Sequence, residues 1–405
     1  MSAPSNAGLA SSAGRATRLE QVLAVWMGVG LAVFMLAQIL PMGGSRVNQV
    51  FYLGLALPSW IAFARLPATR AALHALWPAL GFIGLVFAIG LIKWNSGTVE
   101  NAIKVAAFIS SLAALNALRP GWIASIASVF AVLLIAVLAW ASIAWLGASA
   151  TSDSFARMVL WGHARNPILA SLMMLSAFAV LWLLLLEPWL ERAGQRGLAG
   201  FAGMDWRWPI FALFVALAFW VTVVFQTRTT VVSLLLFVFG YAALRGRAGT
   251  VGLASVIAVG AIVALDLHGP LLERGLSYRP EIWKEALTEL YRQCGWWRGC
   301  APTEEAFVAG FRGAHSGYVG TLYRDGVVAA AAMLAFMAVF AWRAVSARSR
   351  WAVVSLIGWG GMLTAHDALI GGPRPWWLYF WLPVAMALLE SARGPVQKRE
   401  SGSGS

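Results

Sequence analysis

Long apolar blocks broken by short polar stretches run along almost the whole chain. They fall at 21–41, 48–64, 71–93, 101–118, 122–147, 166–187, 208–226, 229–244, 249–267, 316–342, 352–371 and 375–391. Each is close to the ~20 residues that a helix needs to cross the hydrocarbon core of a bilayer. The blocks are continuous, unlike the alternating ten-residue strands of a membrane barrel. The pattern therefore predicts an all-α, polytopic membrane protein of about 12 transmembrane helices. It reads as one membrane domain over 1–405, with one sizeable insertion at 268–315 and no internal repeat. The polar start, "MSAPSNAGLASSAGRATRLEQ", lacks the early apolar region of a secretory peptide, so the first span is expected to stay.

Composition agrees with the pattern. Of 405 residues, 60% are hydrophobic and 12% charged, against about 25% charged in a soluble domain. The mean hydropathy is +0.74. With the N-terminus in the cytoplasm, every second loop collects arginine: Arg65 and Arg70, Arg119, Arg192 to Arg207, Arg245 and Arg247, Arg343 to Arg350, then Arg393 to Arg399. That is the positive-inside bias. It makes the net charge of +13 a matter of topology, and nucleic-acid binding a poor reading of it. The loops at 148–165 and 268–315 then face outward, and both carry arginine against the bias.

Within 268–315, "RPEIWKEALTELYRQ" predicts an amphipathic helix. Pro280 suits a first helical position, and Ile282, Ala286, Leu287 and Leu290 recur at helical spacing. A shorter helix is expected after Thr303 as its N-cap, with Glu304 and Glu305 in its first turn. The chain's two cysteines, Cys294 and Cys300, lie between these helices in "CGWWRGC". On an oxidising face this spacing suits a local disulfide; two free thiols are the other reading. A metal site needs more ligands than two thiols.

Charge at the mouth of a membrane span is costly and calls for a reason. The outward-side candidates are Arg157, His163, Arg165, Arg228, Arg279, Arg312, His315, Arg324, Asp325, Asp367 and Arg374. Lys93 and Lys104 lie near span ends and could snorkel. His315 sits between Gly313 and Gly317, with Arg312 and Arg324 as cationic neighbours that favour a neutral imidazole. A neutral imidazole can act as a general base near neutral pH, though a lone histidine at a helix end can equally be a solvated side chain. Arginine forks match phosphate oxygens, while Arg157 and Arg279 can also be read as binding lipid headgroups, and Arg228 as a snorkeller. Arg324 and Asp325 are adjacent, so helical spacing of about 100° per residue turns them apart. Arg324 is then expected to face a polar cavity leading to His315, and Asp325 to pair with a charge from another span, Asp367 and Arg374 supplying more charge nearby. The other reading is a span that begins later, with both residues wetted at the interface. The chain has no Asp-x-Asp pair, Walker loop or cysteine/histidine metal cluster. Arginine-assisted rather than metal-assisted chemistry on a diphosphate-linked donor is the expectation, with no cofactor.

Two stretches, "RGLSYRPEIWKEALTEL" and "AHSGYVGTLYRDGVVAAAAML", resemble the O-antigen ligase/polymerase superfamily. Arg279, Ile282-Trp283, His315, Tyr318-Val319 and Gly326 match the order of that pattern. "RMVLWGHARNP" resembles its upstream arginine region through Arg157, and "QTRTTVVSLLLF" its Ser-Arg span opening through Arg228. Ser316 stands where asparagine is usual, and Arg324 where an acidic residue is common. The resemblance implies a GT-C-like, inverting, metal-independent glycosyltransferase of the bacterial inner membrane, acting on its periplasmic side. Its donor would be a glycan on undecaprenyl diphosphate and its acceptor the lipid A-core, both reached among membrane lipids. His315 would be the base, Arg157, Arg279, Arg228 and Arg324 the diphosphate ligands, and Tyr318, Asp325 and Asp367 supporting residues. An O-antigen polymerase or a protein O-oligosaccharyltransferase would use the same donor. A lipid-linked glycan transporter would instead show broken polar segments at mid-membrane in both halves.

Overall fold

The computed structural model describes residues 17–149, 157–195, 207–246, 278–300, 313–364 and 369–393. The described residues are helical, with no strand among them. Nine helices among them are long and apolar enough to cross a membrane. In chain order, α1 is Arg18–Ala37, α2 Gly44–Arg65, α3 Pro67–Ile92, α4 Ser96–Leu118, α5 Trp122–Gly147, α6 Pro167–Ala193, α7 Arg207–Phe225 and α8 Arg228–Arg245. The insertion holds α9, Arg279–Glu289. It is followed by α10, Gly317–Ala347, and by two shorter helices, α11 Arg350–Thr364 and α12 Trp377–Ala392.

Eleven of the expected spans overlap a described helix, nine of them long and apolar enough to cross a membrane; the one at 249–267 lies outside the described residues. The span expected at 352–371 is not helical by Leu369. Gly371, Gly372, Pro373 and Pro375 follow there: the glycines have low helix propensity, and the prolines lack the backbone donor a helix needs.

Packing follows membrane rules, with small residues where helices cross. A Cβ on Gly30 of α1 would meet the Gly54 carbonyl oxygen of α2 at 2.0 Å, so only glycine permits that crossing. Phe34, Phe51, Phe108 and Trp377 form a buried aromatic cluster joining α1, α2, α4 and α12.

The bundle has two faces, set by which helix ends meet. One carries the end of α7 and the starts of α8 and α10; we refer to it as the His315 face. The opposite face is tied by polar contacts. Glu187, in the last third of α6, is 1% exposed. It accepts hydrogen bonds from Tyr241 Oη (2.6 Å) and Arg245 Nε (2.7 Å) of α8. Glu191, one turn on, pairs with Arg245 (2.8 Å) and with Arg350 of α11 (3.3 Å). Arg343 of α10 donates to the carbonyls of Ala75 (2.9 Å) and Leu388 (3.4 Å). Lys104 is buried and paired with Glu100 one turn away on α4, instead of reaching an interface.

Candidate functional site

The site is built from the loop between α7 and α8 outward. Arg157 Nε donates to the carbonyl of Phe225, the last residue of α7, at 2.8 Å, and Met158 N donates to Val224 O at 3.1 Å. Residues 157–158 thus satisfy carbonyls that a helix C-terminus leaves open. The chain turns through Gln226 at φ 48° and enters α8 at Arg228. Beneath Arg228, Thr227 and Thr230 donate to Ser171 Oγ of α6 at 3.0 and 2.7 Å, and Ser171 donates to Ile168 O at 2.9 Å. These buried hydroxyls fix the start of α8 on α6. Arg157 and Arg228 therefore flank one helix turn.

Arg279 joins them. It opens α9 behind Tyr278, at φ 56°, with Pro280 next in the chain as the sequence predicts. The Arg279 guanidinium is half-buried, and burial first, then repulsion from Arg228, holds it below the ordinary arginine range. Arg228 and Arg279 are therefore close enough for their charges to act on each other. One turn further along α9, Trp283 Nε1 donates to Ala314 O at 2.9 Å, which holds the helix beside His315. Ile282, Ala286 and Leu290 bury the apolar face of α9 together with Cys300 and Tyr323.

His315 is half-buried at φ 47°, and Ser316 after it caps α10, accepting from Val319 N at 3.4 Å. Ser316 therefore has a capping role of its own where the resemblance expects an amide. Non-glycine residues in the left-handed region cost about 1–3 kcal/mol each and gather at functional sites. Five occur among the described residues, and three of them, Gln226, Tyr278 and His315, stand at or beside Arg228, Arg279 and the candidate base. Tyr318 Oη donates to Trp359 O of α11 at 3.0 Å, a structural bond. Tyr318 also lines an apolar groove of about 790 Å³ between α8, α10 and α11, which ends at Arg245 and Arg348 toward the opposite face.

Arg324 and Asp325 correct the sequence reading. They do not diverge: Arg324 Nη2 lies 2.7 Å from Asp325 Oδ2, and Arg324 Nε donates to the same carboxylate at 3.2 Å. The regular helical wheel fails here because α10 breaks at Gly326, where φ is 85° and ψ 178°. The disulfide Cys294–Cys300, with Cα atoms 4.9 Å apart, docks its loop into that break. Cys300 N donates to Tyr323 O at 2.7 Å, and Val327 N donates to Trp296 O at 2.8 Å. Lys93, just past α3, donates to Arg324 O. Burial lowers the Lys93 ammonium pKa, opposed by Asp325. The ion pair of Asp325 is thus with Arg324 of its own helix and not with another span, and Lys93 adds a further charge near it to make a second cluster. That cluster lies about 10 Å along the axis from Gly317 at helical rise.

His163 lies in the loop leading into α6, its Nε2 buried without a hydrogen-bond partner. Burial, then Arg374, lowers its pKa. Asp367, Arg312, Thr303, Glu304 and Glu305 lie outside the described residues. One group of three ligand-type side chains occurs among the described residues, Glu289, Cys294 and Cys300. Its two sulfurs are bonded to each other and are not thiolate ligands. Lys93 and the Gly326 break are the parts of this face that sequence reading missed. A lysine ending one span and a glycine within another are the only signals they leave in the sequence.

Helices of this length and composition define a polytopic helical membrane protein with a cluster of arginines at one face. No family model matches the chain, and neither a curated protein nor a solved structure matches it.

Proposed function

We propose that this chain is a GT-C-like glycosyltransferase of the O-antigen ligase type. It moves a glycan from undecaprenyl diphosphate to the lipid A-core on the periplasmic side of the bacterial inner membrane. The observation that carries this reading is the gathering of Arg157, Arg228 and Arg279 at the α7–α8 turn, Arg279 coming from a helix whose Trp283 bonds the backbone beside His315. The arginine-rich loops of the opposite face support a periplasmic site through the positive-inside bias.

In this mechanism the three guanidiniums hold the diphosphate and neutralise the charge that grows on it as it leaves. The acceptor hydroxyl oxygen attacks the anomeric carbon. The bond from that carbon to the diphosphate oxygen breaks, and its electron pair departs on the diphosphate. The hydroxyl proton passes to the His315 imidazole. A single displacement inverts the anomeric configuration. The apolar groove behind Tyr318 suits the long tail of the donor. Arg324, engaged with Asp325, stays outside the diphosphate site. No step calls for a metal.

The test is a reconstitution of the purified protein with lipid-linked glycan, with and without lipid A-core, and with no other enzyme. Transfer to lipid A-core that survives excess chelator supports the proposal. Elongation of the donor glycan without lipid A-core would make it a polymerase, and glycan attached to a protein acceptor an oligosaccharyltransferase. Movement of intact donor across the bilayer, with no bond cleaved, would make it a transporter.

A further inference from the structure

The disulfide loop docked on Gly326 turns its aromatic side chains away from the protein. Trp297 is 76% exposed, and Tyr291, Trp296, Arg292 and Arg298 are exposed beside it. The loop cannot fold them back. Its ends are joined by Cys294–Cys300, and its backbone is bonded to α10 on both sides of the break. Tyr291 and Trp296 meet edge to face with ring centres 6.3 Å apart, which leaves their outer surfaces open.

The height of this tip is fixed by α3. Lys93, which follows the last residue of α3, donates to Arg324 O and lies close enough to Arg298 for the two cations to repel. Since α3 has the length and composition of a membrane span, Ile92 and Trp94, 75% and 94% exposed, mark the level where hydrocarbon gives way to headgroups. Arg298, near enough to act on Lys93, belongs to that level, and Trp297 precedes it in the chain. Amphipathic rings prefer this layer, and arginines near it attract anionic lipid phosphates.

We propose that the 291–298 tip is an interfacial anchor, seated in the headgroup layer of the leaflet on the His315 face. Its partner is the lipid surface itself, with the rings of Tyr291, Trp296 and Trp297 at headgroup depth and Arg292 and Arg298 on lipid phosphates. One end of α9 then carries Arg279 into the site while the other is held by the bilayer. This assignment stands apart from the reaction proposed above.

The experiment places the photocrosslinking residue p-benzoylphenylalanine at position 297 of the full-length chain, with a second variant at position 291. A control carries it at Trp342, 71% exposed near the far end of α10, next to Arg343 on the opposite face. Each protein is held in nanodiscs of phosphatidylcholine with or without phosphatidylglycerol, irradiated and analysed by mass spectrometry. Phospholipid adducts are expected at 297, 291 and 342. The yield at 297 should rise several-fold with phosphatidylglycerol, and the rise should vanish in the Arg292→Gln/Arg298→Gln background. Adducts at 342 with none at 297 or 291 would put the tip in water and overturn the proposal. Adducts at 297 that form only after lipid-linked glycan is added would overturn it too, by marking a substrate contact.

Discussion

Gly299 of the disulfide loop and Gly326 of α10 meet backbone to backbone. A Cβ on Gly299 would stand 2.6 Å from the Gly326 nitrogen, and one on Gly326 would stand 2.3 Å from the Trp297 carbonyl oxygen. Both residues have positive φ, 64° and 85°. The break in α10 frees backbone groups that the loop then satisfies, so loop and break exist together. Gly326→Ala should add left-handed strain and overpacking, each about 1–3 kcal/mol. A lower Tm in detergent is expected, with faster amide exchange over 294–300. Unchanged protection of that loop in the variant would show that the docking does not depend on the missing side chain.

Arg324 gives a sharper division of roles. Its guanidinium is held by Asp325, which is 2% exposed. Arg324→Gln leaves a buried carboxylate with less compensation, a loss of stability rather than of donor binding. The expected outcome is a reduced Tm with the KM for lipid-linked donor within about twofold of the parent. A large KM rise at unchanged Tm would return Arg324 to the diphosphate site.

The parts of the fold that were legible are those where burial alone decides. A continuous apolar block has one favourable place, and α1 to α8 fall close to the blocks that predict them. The helix α9 was legible through Pro280 and the spacing of Ile282, Ala286 and Leu290, and the disulfide through the side and spacing of its cysteines. What was not legible depends on partners distant in sequence. Gly326 reads in the sequence only as a glycine matching the superfamily pattern, and the break it makes shows once the loop at 296–300 is seen to fill it. Glu187 ends an apolar block and reads as a span boundary, yet it is buried by Tyr241, Arg245 and Arg350. The early end of α11 is a different kind of miss: the apolar run outweighed the breakers Gly371, Gly372 and Pro373.

The arginine cluster predicts a graded response to conservative change. Arg→Lys keeps charge and loses the planar fork. Arg279→Lys and Arg228→Lys should each raise donor KM and lower kcat/KM by about tenfold or more, since charge-assisted bidentate bonds contribute about 1.5–3 kcal/mol. Inorganic pyrophosphate should compete with the donor in the parent and compete less well in both variants. Equal inhibition in all three proteins would remove the phosphate role.

His163 makes stability depend on pH. Its folded pKa lies below the ordinary value of 6.5, through burial and then Arg374. The unfolded chain therefore takes up a proton at a pH where the folded chain does not. The contribution is fully present above 6.5 and is lost as pH falls toward the folded pKa. Tm should drop between about pH 7.5 and about pH 5.5, in the range where histidine titrates. His163→Gln, neutral throughout, should show a smaller drop. A steeper drop in the variant would contradict the sign.

The base assignment is tested where backbone and chemistry can be separated. His315 combines a left-handed φ of 47° with a position between the Trp283-held Ala314 and the cap of α10. His315→Ala alone changes both, because alanine tolerates that φ poorly. His315→Gly relieves the strain and removes the imidazole, while His315→Asn keeps a residue that tolerates the left-handed region but has no basic nitrogen. Both should fold with Tm near the parent value. Both should lose transfer by about 10²–10⁴-fold, the usual scale of general-base catalysis. Added imidazole should restore part of the rate in the glycine variant, with a pH dependence that follows the imidazole supplied. A folded glycine variant that transfers at the parent rate would leave His315 as a cap-side residue, and the acceptor proton would then have to go elsewhere.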